Sequence, residues 1–226
     1  MDYNKIQPIC ELYGPVIQSE GSLAGIPHIV VRTTGCTHRC WFGEGGWCDS
    51  FYTSIHPEKG KFTLNDVKEY FERFPECKHL MLTGGSPTMN FELCDEIINI
   101  VKRMRGVIVT IETEGSHFIE TNYRIDLVSL SPKFTNSIPA LGITKPQGGI
   151  VDSKFIAQHN KYRINKEAIR KMMDYHLDYH FKPVCNPIEM PEVWAEIEAF
   201  RVEMNIPKSK TWIMPPGATK DEIIRV

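Results

Sequence analysis

At 226 residues, with a formal net charge of −2 and 24% charged side chains, the chain is long enough to bury a substantial core and carries no basic surplus of the kind that binds nucleic acid nonspecifically. No apolar run reaches the length of a membrane span, and the opening MDYNKIQPICELYGP lacks the apolar stretch of a secretory signal. Seven cysteines, an odd number with no sign of export, predict a cytoplasmic protein with free or metal-bound thiols rather than a disulfide framework.

In chain order, six apolar or β-branched runs read as buried strands: 28–34 (HIVVRTT), 79–85 (HLMLTGG), 106–113 (GVIVTIET), 125–131 (IDLVSLS), 179–184 (YHFKPV) and 210–216 (KTWIMPP). Helical spacing separates them. Residues 63–74 place Leu64, Val67, Tyr70 and Phe71 on one face behind Thr63 as N-cap, and 90–105 follow Asn90. Residues 165–176 and 190–204 form two more amphipathic patterns, the second with Pro191 near its first turn. This alternation predicts an α/β fold. Six strands fit an open or partial (β/α)6 barrel, since a closed eight-fold barrel needs about 250 residues. Chemistry is then expected where strand ends converge, after Thr34, Leu82, Ile111, Leu130 and Ile213. Residues 132–164 lack periodicity and read as an irregular loop or insertion. No repeat or linker divides the chain, so a single domain over 1–226 is expected.

The segment 35–50, GCTHRCWFGEGGWCDS, follows the first of these strands directly and carries Cys36, Cys40 and Cys48 in the spacing Cys-x3-Cys-x7-Cys. Three thiolates at a strand end fit a structural zinc site completed by His38, although one residue on either side of His38 is cramped for tetrahedral closure. They also fit an iron–sulfur cluster with one iron left open for a ligand. Spacing alone leaves both readings standing. Cys10, Cys77, Cys94 and Cys185 stand apart and read as small core residues.

The cysteine loop, taken with LTGGSP (82–87) after the next strand, resembles the radical S-adenosylmethionine (SAM) enzymes. Further segments narrow the resemblance to the 7-carboxy-7-deazaguanine synthase family: Gln18, Glu20 and Gly21 before the first strand, Gly25 and Pro27 entering it, and Arg32 four residues before Cys36. CDS (48–50), IETEGS (111–116), LSPK (130–133) and WIMPPG (212–217) continue the match in order, over most of residues 11–217. Two positions depart from the pattern. Seven residues, rather than two, separate the second and third cysteines, and the Gly-Gly-Glu-Pro of the superfamily reads Gly84-Gly85-Ser86-Pro87. A terminal segment that closes the substrate pocket in the family has no counterpart before Val226, so a truncation, or a substitute from 132–164, is expected.

The resemblance implies roles. Cys36, Cys40 and Cys48 would ligate a 4Fe–4S cluster. Gly84, Gly85, Ser86, Glu114, Ser131, Pro132, Lys133, Met214 and Pro215 would contact SAM. Glu112 and Glu114 alternate along a strand end, so one of them, Glu114, is expected to face the mouth. Ile17, Gln18, Ser19, Glu20, Arg32 and Thr83 would contact a carboxypterin substrate, with Arg32 either gripping its carboxylate or held in an internal ion pair. Ser50 would hold Mg2+, or simply form a turn with Asp49. The implied enzyme is a carbon–nitrogen lyase of deazapurine (queuosine-type) biosynthesis. It turns 6-carboxy-5,6,7,8-tetrahydropterin into 7-carboxy-7-deazaguanine with loss of ammonia, draws electrons from a flavodoxin-type reductant and forms a homodimer, with no membrane and no direct nucleic-acid partner. The competing readings are a radical SAM activase acting on a partner protein and a non-catalytic zinc module.

Overall fold

The computed structural model describes residues 1–43, 46–54, 56–104 and 106–215. Six strands form one mixed sheet in chain order: β1 (Ile9–Ile17), β2 (Pro27–Thr33), β3 (His79–Gly84), β4 (Ile108–Thr113), β5 (Leu127–Leu130) and β6 (Tyr179–Phe181). β1 runs antiparallel to β2, and every later pair is parallel. Among the described residues, five α-helices accompany them: α1 (Leu64–Arg73), α2 (Phe91–Lys102), α3 (Ser153–Tyr162) and α4 (Lys166–Tyr175) between strands, and α5 (Pro191–Glu203) after β6. The fold is α/β with an open, partial-barrel-like sheet. No helix among the described residues is long and apolar enough to cross a membrane.

The apolar pattern explains the layers. Ile29, Val30 and Val31 of β2 expose no surface, because a parallel strand is covered on both faces. α1 buries Leu64, Val67 and Phe71, and Thr63 starts it through a reciprocal capping box with Asp66. α2 buries Leu93, Ile97, Ile98, Ile100 and Val101 in the same core.

Three expectations change. β1 was not among the expected strands, because Gly14-Pro15 interrupts its alternation; on an edge strand a proline costs no interior ladder bond. Residues 210–215 do not form a sheet strand. Thr211 and Met214 touch Phe181 and Val184 through isolated parallel bridges, and Pro183 and Pro215 have no N–H with which to continue a ladder; Pro216 lies outside the described residues. Finally, 132–164 is not wholly irregular. It contains α3, capped by Asp152, whose side chain accepts from Phe155 N at 2.8 Å. Only His159 of that helix is buried, so no apolar stripe marked it in the sequence.

Candidate active site

The chain leaves β2 at Thr33 and enters the cysteine loop, whose start is pinned by Gly35 N donating to Thr53 O (2.8 Å) and Ser86 N donating to Gly35 O (2.8 Å). The wide gap between Cys40 and Cys48 closes as a small hairpin. Trp41 and Trp47 form an antiparallel bridge, Phe42 N donates to Gly46 O (2.7 Å), and Cys48 N donates to Cys40 O (3.1 Å). Gly43 and Gly46 take φ of 63° and 77°, which side chains disfavour. The two cysteines thus face each other at the hairpin base despite seven intervening residues; Glu44 and Gly45 lie outside the described residues. Residues of the insertion hold the loop from behind. Trp41 N donates to Ser137 O (2.9 Å), Trp47 Nε1 to Thr144 O (3.1 Å), and Arg39 N to His159 Nδ1 (3.0 Å).

The three thiols share one cavity of about 440 Å³. Burial pushes each of them up, followed by Glu114 and Cys40 around Cys36, by Cys48 around Cys40, and by Asp49 around Cys48. Three mutually opposed thiols in one wall become thiolates together only against a positively charged group. Among the described residues, no three His, Cys, Asp or Glu side chains gather to hold a single metal ion. Three sulfurs on one cavity fit the three protein ligands of an iron–sulfur cluster.

The other expected residues fall around the same cavity with three exceptions. Gln18, Ser19, Glu20, Arg32, Ser50, Thr83, Gly84, Gly85, Glu114, Ser131, Lys133, Met214 and Pro215 line it. Ile17, Ser86 and Pro132 do not. Ile17 is 63% exposed and points away, as the neighbour of a cavity-facing Gln18 must in an extended chain. Ser86 and Pro132 are buried behind the wall.

Both Glu112 and Glu114 line the cavity, against the expectation that alternation would admit one of them. β4 ends at Thr113, so Glu114 has already left the pleat. Lys182 bonds Glu112 (2.8 Å) and Glu20 (2.5 Å) together. Burial alone would lower Lys182, but Glu112 and Glu20 hold it above the usual range; burial would raise Glu112, but Lys182 keeps it below. Arg32 finds the internal partner, Glu11 on β1 (2.5 Å), and still reaches Ser50 Oγ with Nη1 (3.2 Å). Ser50 in turn donates to Asp49 (3.1 Å), so a Mg2+ ion at Ser50 would share that hydroxyl with a guanidinium and depend on Asp49, substrate and water for its other ligands.

The glycines have a second reason to be glycine besides close approach to a ligand. A Cβ on Gly84 would stand 2.4 Å from Thr33 Oγ1, and one on Gly85 2.7 Å from the Cys36 Cβ and from Gly35 O. The loop after β3 is pressed directly against the backbone that presents Cys36.

With this geometry in view, comparison with known proteins decides the family. No family model matches the chain. The 7-carboxy-7-deazaguanine synthase of Halobacterium salinarum is 33% identical over 221 residues, covering 96% of this chain and 79% of the relative. The chain belongs to the 7-carboxy-7-deazaguanine synthase family. It is therefore an enzyme of the radical SAM type, whose cofactors are a 4Fe–4S cluster and SAM, and the zinc module and the activase fall away. The synthase of Rhodopirellula baltica is 38% identical over 124 residues, 54% of this chain and 44% of that protein. Among solved structures, QueE from Escherichia coli matches with a TM-score of 0.56 at 19% identity over 96% of this chain and 86% of its own. The enzyme anSMEcpe, solved with bound AdoMet and a Kp18Cys peptide, matches at 0.52 and 12% identity over 84% of this chain and 51% of its own. Both structural likenesses concern the fold.

Sequence reasoning missed Lys182 and set Glu112 aside. The signal for Lys182 was present: a lysine inside the apolar run YHFKPV raises the same demand for a buried partner that singled out Arg32.

Proposed function

We propose that the protein converts 6-carboxy-5,6,7,8-tetrahydropterin to 7-carboxy-7-deazaguanine with release of ammonia, as a step of deazapurine biosynthesis. The observation that carries this reading is that one cavity gathers both implied sets of residues. Cys36, Cys40, Cys48, Gly84, Gly85 and Glu114 line it together with Gln18, Glu20, Arg32 and Thr83. When bound and reduced, the cluster and SAM supply the radical that starts the rearrangement.

The chain's own residues bind, orient and exclude water. Cys36, Cys40 and Cys48 hold the cluster. Ser131, Lys133, Met214 and Pro215 line the SAM subsite with the two glycines, while Ser86 and Pro132 support it from behind the wall. Gln18 and Glu20 offer acceptors and donors to the pterin ring edge, Ser19 and Ile17 flank them, and Thr83 adds a hydroxyl. Arg32 offers its remaining guanidinium nitrogens to the substrate carboxylate, a planar match. Ser50, beside Asp49, contributes a ligand to Mg2+. Residues 1–226 work as one catalytic domain, in the cytoplasm, as a homodimer served by a flavodoxin-type reductant.

The test is anaerobic. The reconstituted protein is incubated with reductant, SAM, Mg2+ and the carboxypterin, and iron, sulfide and product are measured on the same sample. The expected outcome is 7-carboxy-7-deazaguanine by mass spectrometry, abolished with the cluster in Cys36→Ser, Cys40→Ser and Cys48→Ser. SAM cleavage with an untouched pterin would overturn the substrate.

A further inference from the structure

Arg39 lies between Cys36 and Cys40 on the cysteine loop, yet it does not line the cavity. Its guanidinium folds back on the loop. Nη1 donates to Cys36 O at 2.8 Å and to His38 O at 2.6 Å, while the backbone N–H of Arg39 donates to the buried His159. The Phe155 ring of α3 packs against the half-buried side chain, its centroid 5.9 Å from Cζ. Among the described residues, no carboxylate lies within 4.0 Å of it. Carbonyl oxygens satisfy its hydrogens but leave its charge unbalanced.

What faces that charge is sulfur. Burial lowers Arg39, and the Cys36 and Cys40 thiols oppose the shift. The relation is mutual: burial, then Cys48, push the Cys40 thiol up, while Lys133 and Arg39 pull it down. The two cations differ in place. Lys133 lines the cavity, with Nζ bonded to Ser131 (2.7 Å), whereas Arg39 stays outside and remains with the sulfurs whatever the cavity holds. We propose that Arg39 tunes the cluster: carried as a fixed positive charge on the Cys36–Cys40 segment, it favours the reduced state over the oxidised one. Reduction moves one electron from the reductant to the cluster and makes or breaks no bond. It adds one negative charge beside the guanidinium, so the cation stabilises the outcome of that step more than its starting state. The proposal rests on the cluster that the family carries and not on the pterin substrate.

The test uses wild type, Arg39→Gln and Arg39→Lys, each reconstituted anaerobically with iron and sulfide. Iron and sulfide per chain are counted. The midpoint potential is read by reductive titration without SAM, following the electron paramagnetic resonance signal of the reduced cluster. Arg39→Gln is expected to keep its iron and to become about tenfold harder to reduce, a midpoint ~59 mV lower for one electron. Arg39→Lys keeps the charge and loses the planar fork, and is expected to stay within about threefold of wild type. Full iron with an unchanged midpoint in Arg39→Gln overturns the proposal. So does an equal shift in both variants, which would assign the effect to the hydrogen bonds on Cys36 and His38. If Arg39→Gln holds no cluster, Arg39→Lys decides: iron and midpoint near wild type uphold the role of charge. Lost iron or a lowered midpoint in Arg39→Lys overturns it, by making Arg39 a brace of the loop. A wild type that takes up no iron would sink the cluster and this proposal together; the other adverse outcomes leave the proposed function standing.

Discussion

Glu112 and Glu114 sit two residues apart at the end of β4 and line the same cavity, but Glu112 meets the Lys182 ammonium at 2.8 Å while Glu114 meets hydroxyls and a distant imidazole. Around Glu112, the paired pole, the protein neutralises its own charge: Lys182 joins Glu20 to Glu112, and Arg32 joins Glu11. Around Glu114, the cysteine pole, the near groups are the Ser86 and Ser116 hydroxyls and the His38 ring 4.0 Å away. The contrast teaches that burial of an acidic group says little until its partners are counted.

The contrast can be broken most severely at Lys182. Lys182→Met leaves Glu20 and Glu112 facing each other without their cation, and is expected to cost about 3 kcal/mol, because removing one partner of a buried pair strands the other. Urea unfolding measures this, and Lys182→Met/Glu112→Gln should recover part of the loss. A cost near zero would mean that solvent, not Lys182, neutralises this pole.

Gly85→Ala probes the cysteine pole by packing rather than charge. The added methyl would stand 2.7 Å from the Cys36 Cβ and from Gly35 O, so the loop must shift, at a cost of about 1–3 kcal/mol. Iron bound per chain after reconstitution should fall along with stability. Full iron content would show that the Cys36 backbone yields without losing its place.

Acid sharpens the comparison at His180, which accepts or donates at Ser129 Oγ (2.7 Å) behind the paired pole. Burial first, then Lys182, lowers it to about 4. The unfolded chain takes up a proton near pH 6.5 that the folded ring refuses, so stability is full above that value and is lost as pH falls toward about 4. His180→Gln should flatten the urea midpoint over this window. A remote reference completes the set. Thr63→Ala removes the α1 cap and should cost ~1 kcal/mol while leaving iron content unchanged.

The order of strands and helices could be read from periodicity wherever burial on one face was complete. Leu64, Val67 and Phe71 announced α1, and Ile29, Val30 and Val31 announced β2. Where an element is half exposed the signal faded: β1 carries Gly14-Pro15 in its middle, and α3 buries one histidine. At the cavity, the resemblance to radical SAM enzymes supplied most of the wall residues, and strand ends supplied only the place in the fold where they gather. Ile17 and Pro132 followed their motif neighbours in sequence but not in direction. Lys182 carried the signal of a lysine inside an apolar run, but its partners Glu20 and Glu112 are brought to it only by folding, as Ser86 and Ser116 are to Glu114.

The hairpin of the cysteine loop also sets an order of assembly. Cys36, Cys40 and Cys48 leave the ribosome early, and Thr53 and Ser86 soon after, but the contacts that back the hairpin come from Ser137, Thr144 and His159, about a hundred residues later. A nascent chain that has reached only Cys48 has the thiols without their backing. Cluster insertion into the finished geometry therefore belongs after translation of α3, and ribosome-bound chains stopped before residue 159 should not retain iron as the released chain does.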